Sequence, residues 1–156
     1  MRKQHMYTSN GIGVSPVYTP DPVGKKQQTF VNFTKQLAKL SKCRHGQVAA
    51  ILVSTDFTQV FSVGINGGPI NQKDCVCKQK DAKYGCAHAE QNCLVKNYDR
   101  DIPKIMICTT ECCPTCATLI VNSNINISEF WYIKEYKDHG GLKILCDADI
   151  LVYRIE

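Results

Sequence analysis

The chain has 156 residues, of which 44% are hydrophobic and 21% charged, so it has the apolar content for one domain with its own core and is not a disordered chain. No apolar run approaches the ~20 residues of a membrane span, and the charged start Met1-Arg2-Lys3-Gln4-His5 has no apolar stretch behind it, so it does not read as a secretory signal. The net charge of +5 mildly favours an anionic ligand but forms no concentrated basic stripe, and a slightly basic surface explains it equally well.

In chain order, residues 1–24 hold Gly11, Gly13, Pro16, Pro20, Pro22 and Gly24 without sustained periodicity, and are expected to form a flexible arm ahead of a single domain over 25–156. Phe30, Phe33, Leu37 and Leu40 at helical spacing predict a helix over 28–40. Short apolar runs predict strands at 48–53 and 60–63, the second ending in the loop Gly64-Ile65-Asn66-Gly67-Gly68-Pro69. Residues 71–85 are polar, bear cysteines and have little pattern. A helix over 87–96, a strand at 104–108, a helix over 114–122 and a strand at 130–133 follow, then a short helix over 141–147 and a last strand at 150–155. Strands alternating with helices indicate a layered α/β domain.

Ten cysteines in a chain without an export signal are unusual. In a reducing cytoplasm, the expected location, such clusters are more often metal ligands than disulfides. A disulfide scaffold is the rival reading, but a chain of this size has enough core without staples.

Two segments carry chemistry. His88-Ala89-Glu90 opens one expected helix, and Cys113-Pro114-Thr115-Cys116 opens another. Cysteines three apart at a helix start can face the same way, and the free N–H groups there favour thiolates. His88 can add a third ligand, which leaves the fourth position of a zinc ion open, as a catalytic site requires. Zinc lowers the pKa of a bound water toward ~7, and Glu90 can then carry a proton to the ring nitrogen and the leaving ammonia. Each piece has a blander reading. A lone CxxC serves equally as a structural zinc or redox pair, and a Glu at a helix start often only compensates the dipole. Together, with His-x-Glu shortly before CxxC and one expected strand between, they match the signature of the zinc nucleobase deaminases.

At these residues the chain resembles the cytidine/deoxycytidylate deaminase superfamily, and more narrowly the deoxycytidylate (dCMP) deaminases, phage enzymes included. The resemblance runs from about Thr34 to the C-terminus. Ser41-Lys42-Cys43 before Val48-Ala49-Ala50-Ile51-Leu52-Val53 resembles the family's first strand and its lead-in. Gly64-Ile65-Asn66-Gly67-Gly68-Pro69 is similar to its Gly-Tyr-Asn-Gly-x-Pro, His88-Ala89-Glu90-Gln91-Asn92 to its His-Ala-Glu-x-Asn, and Cys113-Pro114-Thr115-Cys116-Ala117-Thr118-Leu119-Ile120 to its Cys-x-x-Cys-Ala-x-x-Ile helix. The resemblance implies a three-layer α/β/α fold around a five-stranded mixed sheet. It implies a catalytic zinc on His88, Cys113 and Cys116, with Glu90 moving the proton. It further implies hydrolysis of a free pyrimidine nucleotide, dCMP to dUMP and ammonia, by a homo-oligomer, hexamers included, open to control by dCTP or dTTP. Free cytidine deaminases carry Cys where this chain has His88, which points away from the nucleoside branch.

Two departures stand out. Cys112 occupies the position where the family usually has Pro, and Glu111 stands where a small or apolar residue is common. Cys113 keeps the spacing to Cys116, so the metal is assigned to Cys113. Glu111 leaves a modified cytosine nucleotide open as substrate. A second, structural zinc on Cys43, Cys75, Cys77 and Cys86, with His45 as a substitute ligand, is implied by the resemblance to phage enzymes. Cys86 and Cys43 read otherwise as buried or incidental thiols. Substrate contacts are expected from Asn66 to a sugar hydroxyl, from Ala89, from Tyr136 to the base or phosphate end, and from Arg44 near the phosphate. Physics alone reads Asn66 as a turn residue before Gly67. A deaminase acting on another base or on nucleic acid, or a non-catalytic zinc module, are the competing functions. Action on nucleic acid lacks the basic, aromatic-studded groove it needs, the motifs leave action on another base open, and a non-catalytic module has no use for Glu90.

Overall fold

The computed structural model describes residues 3–9, 12–19, 23–43, 45–71, 75, 77 and 85–155, with the main chain alone for 3–19. The elements are β1 (Lys3–Ser9), β2 (Ile12–Thr19), α1 (Lys25–Ala38), β3 (Ala49–Ser54), β4 (Val60–Ile65), α2 (Ala89–Leu94), β5 (Lys104–Thr110), α3 (Pro114–Asn122), β6 (Ile127–Lys134), α4 (Gly140–Asp147) and β7 (Leu151–Arg154). One mixed sheet takes the order β1-β2-β7-β6-β5-β3-β4. β5, β6 and β7 are parallel, while β3 runs antiparallel to both β5 and β4.

The five strands β7-β6-β5-β3-β4 are the mixed sheet expected. β3 is buried at every position, and so are the first six residues of β5. Strands covered on both faces read as unbroken apolar runs, which is why Val48 to Val53 and Lys104 to Cys108 were visible without alternation. On one face Ile51, Val53, Ile105, Ile107, Trp131 and Tyr153 pack with Val31 of α1. On the other, Ala50, Leu52, Met106, Cys108, Phe130, Tyr132 and Val152 pack with Ala89 and Cys93 of α2, Cys116, Ala117 and Ile120 of α3, and Leu142 and Leu145 of α4. Odd and even positions of each strand thus feed opposite cores, giving three layers, α/β/α.

The sheet is larger than expected. β1 and β2 pair antiparallel, with Ser9 opposite Ile12, and β2 joins β7 in parallel through Val17↔Val152 and Tyr18↔Tyr153. These strands lie in the segment expected to run as an arm. The overlooked signal is Asn10-Gly11 between them, the strongest short-range hairpin cue; Pro16 and Gly13 masked the alternation around it.

Helix starts differ from expectation by up to three residues, and at α2 the reason is local. His88 has φ −73° and ψ 158°, so α2 begins at Ala89 and His88 is its cap. Among the described residues no helix is long and apolar enough to cross a membrane.

Candidate metal centre and active site

Strand direction gathers the site. Because β4, β5 and β6 end at the same sheet edge at which β3 begins, Asn66, Glu111 to Cys113, Tyr136 and Gly46 to Val48 meet there. Open α/β sheets collect ligands at such carboxyl ends. A cavity of about 400 Å³ lies at this edge, lined by Asn66, His88, Ala89, Glu90, Cys113 and Tyr136 among others.

α2 and α3 aim their N-termini into the cavity. Cys113 caps α3 in extended conformation, and Pro114 behind it carries the φ that a first helical residue needs. Cys116 lies one turn in. His88 Nδ1 is 3.6 Å from Cys113 Sγ and 3.3 Å from Cys116 Sγ. The three ligand atoms lie within 4.8 Å of one another. Tetrahedral zinc with ~2.0–2.3 Å bonds spaces its ligand atoms by about 3.5 Å, so this donor set fits the ion. Burial pushes the Cys116 thiol far above its ordinary value, with Glu90 and Cys113 adding to the rise. A cation among these atoms reverses that balance and favours thiolates. Gln91 holds the histidine in place, its Oε1 accepting the His88 N–H at 2.8 Å.

Glu90 is only 4% exposed. Burial raises its pKa, partly offset by its own main-chain N–H, by His88 and by Cys116. A carboxyl so placed holds a proton more readily than one in water. Two contacts fix its height over the sheet. Asn92 Nδ2 donates to Ile65 O at 2.8 Å. A Cβ on Gly64 would lie 2.0 Å from Ala89 O and 2.4 Å from Cys93 N, so α2 rests directly on glycine main chain.

Cys43, Cys75, Cys77 and Cys86 form a second group, with all four sulfurs within 4.8 Å of one another. Cys75 Sγ is 3.8 Å from Cys43 Sγ and 3.6 Å from Cys86 Sγ. These are close to the ~3.8 Å edge of a tetrahedron with ~2.3 Å metal–sulfur bonds, so a closed four-thiolate site fits. Burial, then Cys77 and Cys75, push the Cys86 thiol up to about 12. His45 is not in the group; its Nε2 lies 3.4 Å from Cys77 O. Cys43, Cys77 and Cys86 also line the cavity, so the two thiol groups share a wall. Cys112 is in neither group; it is fully buried, in the same core cluster as Phe130 and Leu142. All ten cysteines are free thiols, so the disulfide alternative is not realised.

Asn66 lines the cavity, yet its amide already works for the main chain. Oδ1 accepts Val48 N–H at 2.9 Å and Nδ2 donates to Gly46 O at 2.8 Å. Ser41 Oγ donates to Asn66 O at 2.8 Å and accepts Cys43 N–H at 3.1 Å. The Ser-x-Cys and Asn-Gly segments are therefore one bonded unit that carries the Cys43 thiol to the cavity wall. Arg44 lies outside the described residues.

Three features went unassigned in the sequence. Thr110 joins the cavity lining at the end of β5. Glu111 turns its fully buried carboxylate away from a free role. It meets His139 Nδ1 at 3.0 Å and accepts Tyr136 N–H at 3.2 Å. Burial raises its pKa, offset by Tyr136 N–H and His139. Gly141 lets α4 touch the Cys112 carbonyl, 2.1 Å from where a Cβ would sit.

A family model described as the cytidine and deoxycytidylate deaminase zinc-binding region matches residues 24–132. None of the curated proteins matches the chain in sequence. Among solved structures, dCMP deaminase from the cyanophage S-TIM5, in complex with dCMP and dUMP, superposes with a TM-score of 0.74 at 23% identity, covering 87% of this chain and 99% of that one. The Rib2 deaminase of Aspergillus oryzae gives 0.61 at 18% identity, covering 85% and 84%. A diaminohydroxyphosphoribosylaminopyrimidine deaminase/reductase of Thermotoga maritima gives 0.60 at 19%, covering 83% of this chain and 36% of that one. At these identities the superpositions establish the fold. With the family model spanning 24–132, the metal-fitting ligand set His88, Cys113 and Cys116, and buried Glu90 beside it, the chain belongs to the zinc-dependent cytidine and deoxycytidylate deaminase family.

Proposed function

We propose that this protein hydrolyses the amino group of a free cytosine deoxynucleotide, dCMP giving dUMP and ammonia. One observation carries the reading. A buried carboxyl with a raised pKa, Glu90, sits beside a three-ligand set with room for a fourth ligand, in a cavity of about 400 Å³. That volume falls in the ~300–1,000 Å³ range of small-molecule sites. The cyanophage enzyme of similar fold binds dCMP and dUMP.

His88, Cys113 and Cys116 would hold one zinc, and Cys43, Cys75, Cys77 and Cys86 a second, closed one. The ion at the first site supplies a water acidic enough to ionise near neutral pH. Glu90 accepts that water's proton and passes it to N3 of the base. With the water oxygen now bonded to C4, Glu90 takes the remaining proton of that new hydroxyl and passes it to the departing amine, so the C4–N bond is exchanged for a C4 carbonyl, ammonia leaves and no net proton is consumed. Tyr136 lines the same cavity and contacts the nucleotide. Asn66 has spare hydrogen-bond capacity on its amide for a sugar hydroxyl, and the main chain at Ala89 faces the base. The deaminase domain over 25–156, homo-oligomeric assembly, a cytoplasmic location and control by dCTP and dTTP complete the reading.

The test is ammonia release from dCMP, CMP, dCTP, deoxycytidine and a single-stranded oligonucleotide, each with and without dCTP and dTTP. Preferred turnover of dCMP supports the proposal. Turnover of the oligonucleotide in preference to every free nucleotide would overturn it.

A further inference from the structure

We propose that Glu111 is a positioning residue for substrate binding, acting through His139 and the Tyr136 main chain; this rests on the reading of the cavity as a nucleotide site. Glu111 directly follows β5 and sits two residues before Cys113. Its side chain has no exposed surface, and its carboxylate is spent in two directions. Both oxygens lie 3.0 Å from His139 Nδ1, and Oε2 accepts Tyr136 N–H at 3.2 Å. Its own N–H donates to Lys134 O at 2.8 Å. One residue thus pins three points of the 134–139 segment. The segment is anchored again just beyond, where Gly141 meets the Cys112 main chain.

This segment brings Tyr136 into the lining of the cavity that His88 and Glu90 also line. Tyr136 follows the end of β6, so no strand pairing holds it. A buried carboxylate is a costly anchor unless all its partners are in place, and here they are supplied by the segment it holds. Loss of the carboxylate therefore releases the cavity wall while the ligand set, built on α2 and α3, stays assembled. Glu111 also lines the cavity, but its carboxylate is engaged by His139 and the Tyr136 N–H and so acts as an anchor for the substrate-facing wall.

The test compares Glu111→Ala, Glu111→Gln and His139→Ala. Amide hydrogen exchange over residues 135–139 is read first, since it needs no substrate. Glu111→Ala should speed exchange there by about tenfold, the equivalent of one lost hydrogen bond to a charged group. Glu111→Gln should largely restore protection, because its amide still accepts Tyr136 N–H. KM for the preferred nucleotide is read second. Glu111→Ala should raise KM by about tenfold with a smaller fall in kcat and full zinc content, and the KM effect should vanish in a Tyr136→Ala background. His139→Ala, a change at a part-exposed residue, should give the same pattern more weakly and decides the matter if Glu111→Ala does not fold. Unchanged exchange, or a KM effect that persists without the Tyr136 ring, overturns the proposal. A wild-type protein that turns over no nucleotide overturns the functional reading instead, and the exchange result then stands on its own.

Discussion

Replacing Gly64 by alanine tests whether the packing of α2 on β4 sets the position of Glu90. The added methyl would lie 2.0 Å from Ala89 O, 2.4 Å from Cys93 N and 2.8 Å from Cys93 Cβ. Ordinary contacts need ~3.5 Å or more, so α2 must lift by about 1 Å or more, because two of the three atoms belong to helix main chain. Overpacking of this kind costs about 1–3 kcal/mol, and at about 2–4 °C per kcal/mol for a chain of this size the melting temperature should fall by several degrees. The larger effect is on chemistry. Ala89 and Glu90 ride on the displaced turn, and a misplacement of ~1 Å costs roughly 10²-fold in rate. Gly67→Ala, where a Cβ meets nothing within 4 Å, is the control and should be close to neutral. The assay is dCMP turnover with zinc content and melting temperature for both variants. Wild-type turnover by Gly64→Ala would refute the claim that this contact positions the catalytic carboxyl.

Further outcomes follow from the same geometry. Cys116→Ala should lose the zinc at the His88 site together with activity, whereas Cys112→Ala should keep that zinc and lose only stability, about 1–3 kcal/mol for a small buried side chain; elemental analysis separates them. Cys75→Ser should lower zinc from two to one per chain and destabilise the fold more than the chemistry, since structural zinc contributes directly to folding. Lys104 is fully buried, with Nζ 2.5 Å from Asp99 Oδ1 and over the Phe61 ring. The Lys104 hydrogen bond holds the Asp99 carboxyl below its ordinary value of 3.8. A depressed carboxylate adds stability above its unfolded pKa and loses it as pH falls through the folded one. Asp99→Asn should therefore be less stable than wild type at neutral pH, and thermal melts should converge as pH drops below 3.8.

The parts of the site that were legible are those written in local spacing. Cys113 and Cys116 share a helical turn, and His88 and Glu90 share a helix start, so three-residue patterns were enough to place them. The apolar runs of β3 and β5 were legible because both faces are covered. What escaped depends on long-range partners or on main chain. Glu111 read as an oddity because His139 and Tyr136, which use its carboxylate, lie far along the chain and meet it only through the parallel pairing of β5 and β6. Asn66 read as either a turn residue or a sugar contact; its amide ties Gly46 and Val48 to β4, a role no pattern announces. Gly64 carries no side chain to signal that a helix rests on it. β1 and β2 were hidden because Gly13 and Pro16 outweighed Asn10-Gly11 in a segment rich in breakers.

The central claim is that Glu90 moves protons for a hydrolytic deamination, and Glu90→Gln tests it most directly. The amide keeps the shape of the side chain and removes its capacity as a base. Proton transfer by a positioned group supplies about 10²–10⁴-fold in rate. The account predicts a folded, zinc-replete variant that binds dCMP and has lost at least about 10²-fold in turnover. A residue serving only the helix dipole would instead cost ~1 kcal/mol or less of stability with turnover intact. Near-normal turnover by a zinc-replete Glu90→Gln protein would contradict the mechanism.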